Sequence, residues 1–357
     1  MRAQTGHYTA LRAHRLALEM VLILALGTGA APLAAQSFPD AEEIVIEDES
    51  DDPVDTSYQT VQSSPRTPDD SAWGNVASLY TNPPDLAHCV AGDLRAEAKA
   101  SFLAAFNALR ARHGLAPVRY NAAADRSAAE AALIMAAGSA LSHQPPPSWR
   151  CWTAAGASAA GSSNLLGGVS SPYLAYEDNN AILAEWLIEG EGDEIGHRRW
   201  LLDPYLDQTA LGRAIAVLPG GVRVDSVVMK VFDFPRDAAS RDRSTRTAPA
   251  FVAWPQGEYP RVFFSPRARL SFAVSQDPGT EDAQGTIDFT GARVSISDGE
   301  HILNTHDQLW DNEGYGVANC LSWRVDGIVT GRTYTVSISG IRGSPQERYS
   351  YTFRITD

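Results

Sequence analysis

The 357-residue sequence predicts a layered α/β domain over residues 88–235, followed by an all-β, sandwich-like domain over residues 250–357. Three observations lead to this. Apolar side chains recur at helical spacing in three segments between residues 93 and 189. Two β-branched runs, 210–217 and 222–234, flank Pro219-Gly220-Gly221 as the arms of a hairpin. Beyond residue 250, about seven short alternating runs are separated by Gly, Asp, Pro and Asn, a pattern that suits a β-sandwich.

Taken from the start, Arg2, Arg12 and Arg15 precede an apolar run at 16–26 and a small-residue segment at 27–35. That is the order of a secretory signal peptide, so residues 1–35 are expected to direct export, with cleavage near Ala35. An uncleaved membrane anchor is the alternative, because Glu19 interrupts the apolar run and Leu33 is large for a cleavage site. No later stretch reaches the roughly 18 apolar residues of a membrane span. Residues 36–87 are rich in Asp, Glu, Ser, Pro and Thr and lack apolar periodicity, the composition of an acidic, disordered leader.

Leu94, Ala98, Phe102, Ala105, Phe106 and Leu109 then share one helical face, with Asp93 as a cap and Gly114 as a stop, which predicts a helix over 93–113. A second helix, over 122–137, is nearly all alanine around Leu133, Ile134 and Met135, small enough to approach a neighbour closely. Pro145, Pro146 and Pro147 forbid helix after it and leave His143 on a stiff loop. Residues 161–168 read as another loop, with glycines for tight turns. A third helix is expected over 173–189, capped by Ser171 with Pro172 in its first turn. Residues 236–249, charged and rich in Ser and Thr, form the expected linker. Strands are predicted beyond it at 262–264, 270–274, 286–289, 293–297, 321–325, 334–338 and 349–355.

The formal net charge is −14, and residues 36–70 alone hold eleven acidic side chains against one arginine. An acidic chain with no basic run argues against nucleic acid as a partner, since Lys and Arg must neutralise phosphates. It also gives no attraction to anionic lipid. Three cysteines in an exported chain allow one disulfide and one thiol. Cys89 precedes the first helix and Cys151 follows the second, so these two are expected to pair. Cys320 is then left over, as a buried thiol or, if exposed, a site of intermolecular bridging.

The densest chemistry lies between residues 140 and 204, which hold His143, His197 and the acids Glu189, Glu191, Asp193 and Glu194. Two imidazoles and carboxylates suit a divalent metal such as zinc, or a general acid/base pair. Without a His-Glu-x-x-His spacing neither role is specified. Arg198 and Arg199 are adjacent and face different ways, one able to pair with Glu189 or Asp203 and the other solvated. Trp186 and Trp200 read as core residues. His301, His306, Asp307 and Asp311 are weighed as an ion cluster against a polar inter-strand loop, and the loop is favoured. No Gly-rich phosphate loop, Gly-x-Ser-x-Gly elbow, Cys-x-x-Cys pair or EF-hand pattern appears.

One ordered set of blocks carries a resemblance: residues 107–118 (Asn107 to Val118), Ser142-His143, Trp186 with Glu189, and Gly196-His197-Arg198-Arg199-Trp200. In order and distance, over about residues 90–234, it resembles the CAP superfamily (SCP-like; cysteine-rich secretory proteins, antigen 5 and pathogenesis-related 1 proteins). The chain looks like a bacterial extracellular member with an appended β-domain. The resemblance implies an α-β-α sandwich of the CAP type and a cleft framed by two histidines and two acids. It places His143, Glu189 and His197 there as catalytic candidates, with His143 and His197 as the metal pair. The family's Glu-Asn block is Ser163-Asn164 here, so the second acid is missing, and either the site has lost metal affinity or Glu191, Asp193 or Glu194 compensates. The implied function is an extracellular binding or interaction module, with a metal-assisted hydrolase or a lipid- or sterol-binding protein as alternatives. Zinc is the one cofactor the resemblance suggests, and an extracellular protein, a cell-wall component or a lipid are the expected partners.

Overall fold

The computed structural model describes residues 70–190, 192, 195–234, 248–276 and 286–357. The predicted signal peptide, residues 36–69 of the leader, Glu191, Asp193 and Glu194, and residues 236–247 of the linker lie outside the described residues. All described residues fall within one compact unit, Gln62–Asp357. As predicted, an α/β region is followed by a largely β region. No described helix is long and apolar enough to cross a membrane.

The end of the predicted leader is a correction. Helix α1 (Asp70–Trp73), a 3-10 turn (Val76–Leu79) and strand β1 (Tyr80–Asn82) are ordered, and Trp73, Val76, Tyr80 and Leu86 are buried. These apolar residues are too sparse to show a period, yet each finds its own place in the core. Tyr80 also donates its hydroxyl to the Arg213 carbonyl at 2.9 Å and accepts from the Ile215 N–H at 3.1 Å. Asp93 does not cap the first long helix. It belongs to β2 (Asp93–Leu94), which pairs with β1, and Arg95 takes the cap position before α2 (Ala96–Arg112). Phe102, Phe106 and Leu109 bury the predicted face.

The α/β sheet has the order β3 (Arg119–Tyr120), β5 (Gln208–Val217), β6 (Arg223–Lys230) and β4 (Ser163–Ser171). The predicted hairpin is β5 and β6, antiparallel in register from Ala210↔Lys230 to Val217↔Arg223. The alanine-rich helix α3 (Asp125–Gly138) is buried along most of its length, and α4 (Ala154–Ala160), capped by Thr153, completes that layer. Of residues 161–168, read as a loop, those from Ser163 on prove to be the start of β4, which pairs with β6. The glycines that suggested a loop make a bulge instead: Gly167 and Gly168 take φ of 89° and 74°, and the register shifts between Gly167 and Val169. The third helix, α5 (Asn179–Ile188), starts later than expected. Asp178 rather than Ser171 is its cap, accepting from the Ala181 N–H at 2.9 Å, because Ser171 is still in the strand. The short α6 (Gly196–Leu201) follows.

The β region holds β7 (Phe251–Trp254), β8 (Gly257–Pro260), β9 (Leu270–Val274), β10 (Arg293–Ser297), β11 (Thr305–Asp311), β12 (Cys320–Val325), β13 (Thr333–Ser339) and β14 (Arg348–Thr356). They form two four-stranded sheets, β10-β13-β14-β8 and β11-β12-β9-β7. β13 and β14 alternate buried and exposed residues, as one-face burial requires. Phe251 and Phe272 of one sheet meet Tyr349 of the other with ring centroids 5.0–5.7 Å apart. Two predicted strands are absent: 262–264 overlaps a 3-10 turn at Arg261–Phe263, and 286–289 makes only the isolated bridge Asp288↔Arg342.

The two regions share a core: Leu183, Trp186 and Leu187 of α5 and Trp254, Tyr259 and Phe263 of the β region belong to one buried cluster. Polar groups lock this seam. His113, after α2, bonds through Nδ1 to the Ala253 carbonyl at 2.9 Å and through Nε2 to the Tyr259 hydroxyl at 3.1 Å. Burial, helped by the nearby cations Arg110 and Arg198, pushes its pKa from 6.5 down to about 4. Between these values the unfolded chain takes up a proton that the folded chain refuses, so stability is lost as pH falls through this window. We expect acidification from neutral pH to about 4 to cost roughly 3 kcal/mol through this residue alone. Urea unfolding at a series of pH values should show that slope in the native protein and its loss in His113→Asn; equal slopes would refute the assignment.

Candidate functional site

The site begins at the C-terminus of α5. Glu189 ends that helix in the left-handed region at φ 55°, a conformation that costs a non-glycine residue about 1 kcal/mol or more. Gly190 follows at φ 62°. The turn brings the Glu189 side chain onto the start of α6. Its Oε1 accepts from the His197 N–H at 2.8 Å and the His197 ring Nδ1 at 3.0 Å, and its Oε2 accepts from the Arg198 N–H at 3.1 Å. One buried carboxylate therefore caps α6 and sets the orientation and tautomer of His197.

His143 reaches the same place from the proline loop. Its Nδ1 donates to the Ala160 carbonyl at 2.9 Å; a carbonyl oxygen only accepts, so Nδ1 carries the proton and Nε2 is left as an acceptor. The two imidazoles stand with ring centroids 6.5 Å apart. Asn164 donates to the His197 carbonyl at 3.1 Å and so fixes the other side of the α6 entry. Ser163, in the position where an acid was missed, is buried and donates its hydroxyl to the Ala159 carbonyl at 2.6 Å.

His143, Ser163, Asn164, Glu189 and His197 all line one cleft of about 680 Å³. Sequence reasoning missed its apolar rim. Trp186 is core as expected, but Trp200 is half-buried and stacks on Phe232 with centroids 4.7 Å apart, and both line the cleft together with Tyr315 from the β region. The adjacency of Trp200 to the His197 block was the only signal for the first. Nothing local marked Phe232 or Tyr315, which join the cleft through tertiary folding.

The predicted disulfide is present: Cys89 and Cys151 are bonded, 62 residues apart. They border a separate cavity of about 800 Å³ with Trp149 and Trp152. Cys320 is a buried free thiol, and burial pushes its pKa up to about 11. Arg198 and Arg199 are corrections, since neither is solvated and neither pairs with Asp203. Arg199 donates to both oxygens of Asp311 at 2.8 Å, and Arg198 is spent on backbone carbonyls of the seam. With Asp311 so engaged and His306 bonded to Asp307 at 2.9 Å, the weighed ion cluster does not form. Among the described residues no group of three or more His, Cys, Asp or Glu comes together to hold a metal. His143 and His197 offer two nitrogens where a zinc site takes at least three protein ligands, and Glu189 is already occupied, so the described donors do not make a zinc site.

No curated protein and no protein of solved structure matches the chain. A profile of the family described as CAP, the cysteine-rich secretory protein family, matches residues 103–217. That interval holds His143, Ser163, Asn164, Glu189 and His197 and stops short of Phe232 and Tyr315. The segment that builds the histidine cleft is thus a CAP domain, set against a β region that also reaches the cleft's edge.

Proposed function

We propose that the protein is an exported binding module whose cleft takes a ligand with an apolar body, fixed by a polar group at His143 and His197. The observation that carries this reading is the engagement of the polar groups. Glu189 has given its oxygens to two backbone N–H groups and one imidazole, and the Ser163 hydroxyl is turned into a carbonyl. A hydrolase needs, besides a base, a nucleophile or an activated water beside it, and the hydroxyl at the histidines, Ser163, is turned into the Ala159 carbonyl. Here the acid serves as a positioning group. The cleft walls, Leu141, Leu166, Trp200 and Phe232, supply apolar surface, and the two Nε2 atoms supply acceptors.

Export, to the periplasm or the medium, is supported by the charged, apolar and small-residue order of residues 1–35 and by the Cys89–Cys151 bond, which persists in oxidising compartments. The test is a screen of peptide, ester and cell-wall substrates, with and without added zinc, on the native protein and the double variant His143→Ala/His197→Ala. We expect no turnover that depends on the two histidines. Turnover by the native protein that vanishes in a folded double variant would overturn the reading in favour of a hydrolase.

A further inference from the structure

A second cavity, about 520 Å³, lies along the β region and is lined by Leu309, Trp310, Asp311, Glu313 and Tyr315 together with Gly196 of α6. Gly196 and Tyr315 also line the histidine cleft, so the two cavities meet there. Nothing lies within 4 Å of the place a side chain at Gly196 would occupy, which leaves the passage open. We propose that the two cavities are one extended groove, and that its occupant is a linear, neutral oligosaccharide running from the histidine cleft onto the β region, stacked on Tyr315 and Trp310. The inference rests on the binding reading of the cleft and adds its ligand class and a second half to the site.

Four features of the groove support this occupant. First, three aromatic residues are exposed together along it: Phe232 is 38%, Trp310 44% and Tyr315 53% accessible, whereas among the other described Phe, Tyr and Trp rings only Tyr173 is as open. Exposed apolar patches rimmed by polar groups mark ligand sites, and flat rings offer apolar faces that match the C–H faces of pyranose rings. Second, among the described residues the ionised groups along the path are four carboxylates against the single arginine Arg199, and of these Glu185 and Glu313 are not committed to Arg199 or His197 as Asp311 and Glu189 are. Carboxylates accept hydrogen bonds from sugar hydroxyls and repel anionic chains, which argues against nucleic acid and acidic lipid headgroups. Third, the platform is held firmly. Arg199 grips Asp311 at one end of the loop and donates to the Val317 carbonyl at 3.2 Å at the other, so Tyr315 between them is anchored. Fourth, β11 lies at a sheet edge, where an extended peptide would add as a strand, but its register breaks between His306 and Leu309, and Asp307 takes a φ of 50°. Such irregularity blunts an edge against strand addition.

The experiment is calorimetric titration of the full chain with chitobiose, chitohexaose and cellohexaose, and with an extended acyl-free peptide as a control. We expect at least one hexaose to bind more tightly than the disaccharide, and Trp310→Ala and Tyr315→Ala each to weaken it about tenfold. Trp310→Ala should keep the native circular-dichroism spectrum and urea midpoint, which shows that this exposed substitution has not disturbed the fold. Hexaose affinity indifferent to both substitutions would overturn the groove while leaving the binding cleft standing. Failure of every saccharide to bind would overturn the ligand class, as would peptide binding that Trp310→Ala abolishes. Histidine-dependent cleavage of a hexaose whose KM rises in Trp310→Ala would sustain the groove and overturn the binding-only reading.

Discussion

Arg198→Met is expected to destabilise the protein by about 3–5 kcal/mol, since several buried acceptors lose a donor at once and each orphaned acceptor costs about 1–3 kcal/mol. Arg198 is 1% accessible. Its guanidinium donates to the carbonyls of Leu187 at 2.5 Å, Ile188 at 3.2 Å and Arg269 at 2.7 Å, and to the Ser271 hydroxyl at 3.3 Å, while lying 3.9 Å from the Trp254 ring centroid. Burial lowers its pKa to about 10, still well above neutrality, so the group is a cation without a direct carboxylate partner. Methionine fills much of the volume and satisfies none of those acceptors. Urea denaturation followed by tryptophan fluorescence measures the loss, and a cost under about 1 kcal/mol would contradict the clamp. Arg198→Lys should fall between, since an ammonium keeps the charge but not the planar fork.

The double variant Cys89→Ala/Cys151→Ala should lose roughly 4 kcal/mol by the loop-entropy account of a cross-link spanning 62 residues. The bond ties the segment before β2 to the proline loop, where Arg150 also donates to the Leu86 carbonyl at 2.9 Å. Its loss should therefore be felt first in residues 143–153. Hydrogen exchange is expected to quicken there and in 85–90 before it quickens in β13 and β14. Unchanged exchange in the proline loop, or a stability equal to that of the native protein, would show that the hydrogen bonds suffice without the covalent link.

What the sequence made legible followed from periodicity and chain punctuation. α2, the β5–β6 hairpin and five strands of the β region each carried a dense local pattern that tertiary packing then used. The disulfide and the convergence of His143, Glu189 and His197 could also be anticipated, the first from placement along the chain and the second from an ordered resemblance. Other features depended on partners distant in sequence. β4 is a strand because β6 lies beside it; its glycines alone spell a turn. Arg198 and Arg199 look like surface cations until Arg269, Trp254 and Asp311 surround them. Tyr315 lies more than a hundred residues from His197, and only the joined core brings it to the cleft.

That joined core has a kinetic consequence. A side chain added at Gly316 would stand 2.4 Å from the Arg199 carbonyl oxygen, so the loop bearing Tyr315 rests directly on the backbone of α6. Around this contact lie the buried residues Ile195, Ala273, Val317 and Cys320. Swinging the β sheets away from the histidines would break the Arg199–Asp311 pair and wet that cluster. A jaw-like opening therefore has a steep barrier, and ligand exchange is left to rotations of Trp200, Phe232 and Tyr315. Side-chain rotations of this kind run on picosecond to nanosecond scales rather than the microseconds to milliseconds of domain hinging. Association should then be limited by encounter with a standing groove, and residence time by how many rings the ligand covers.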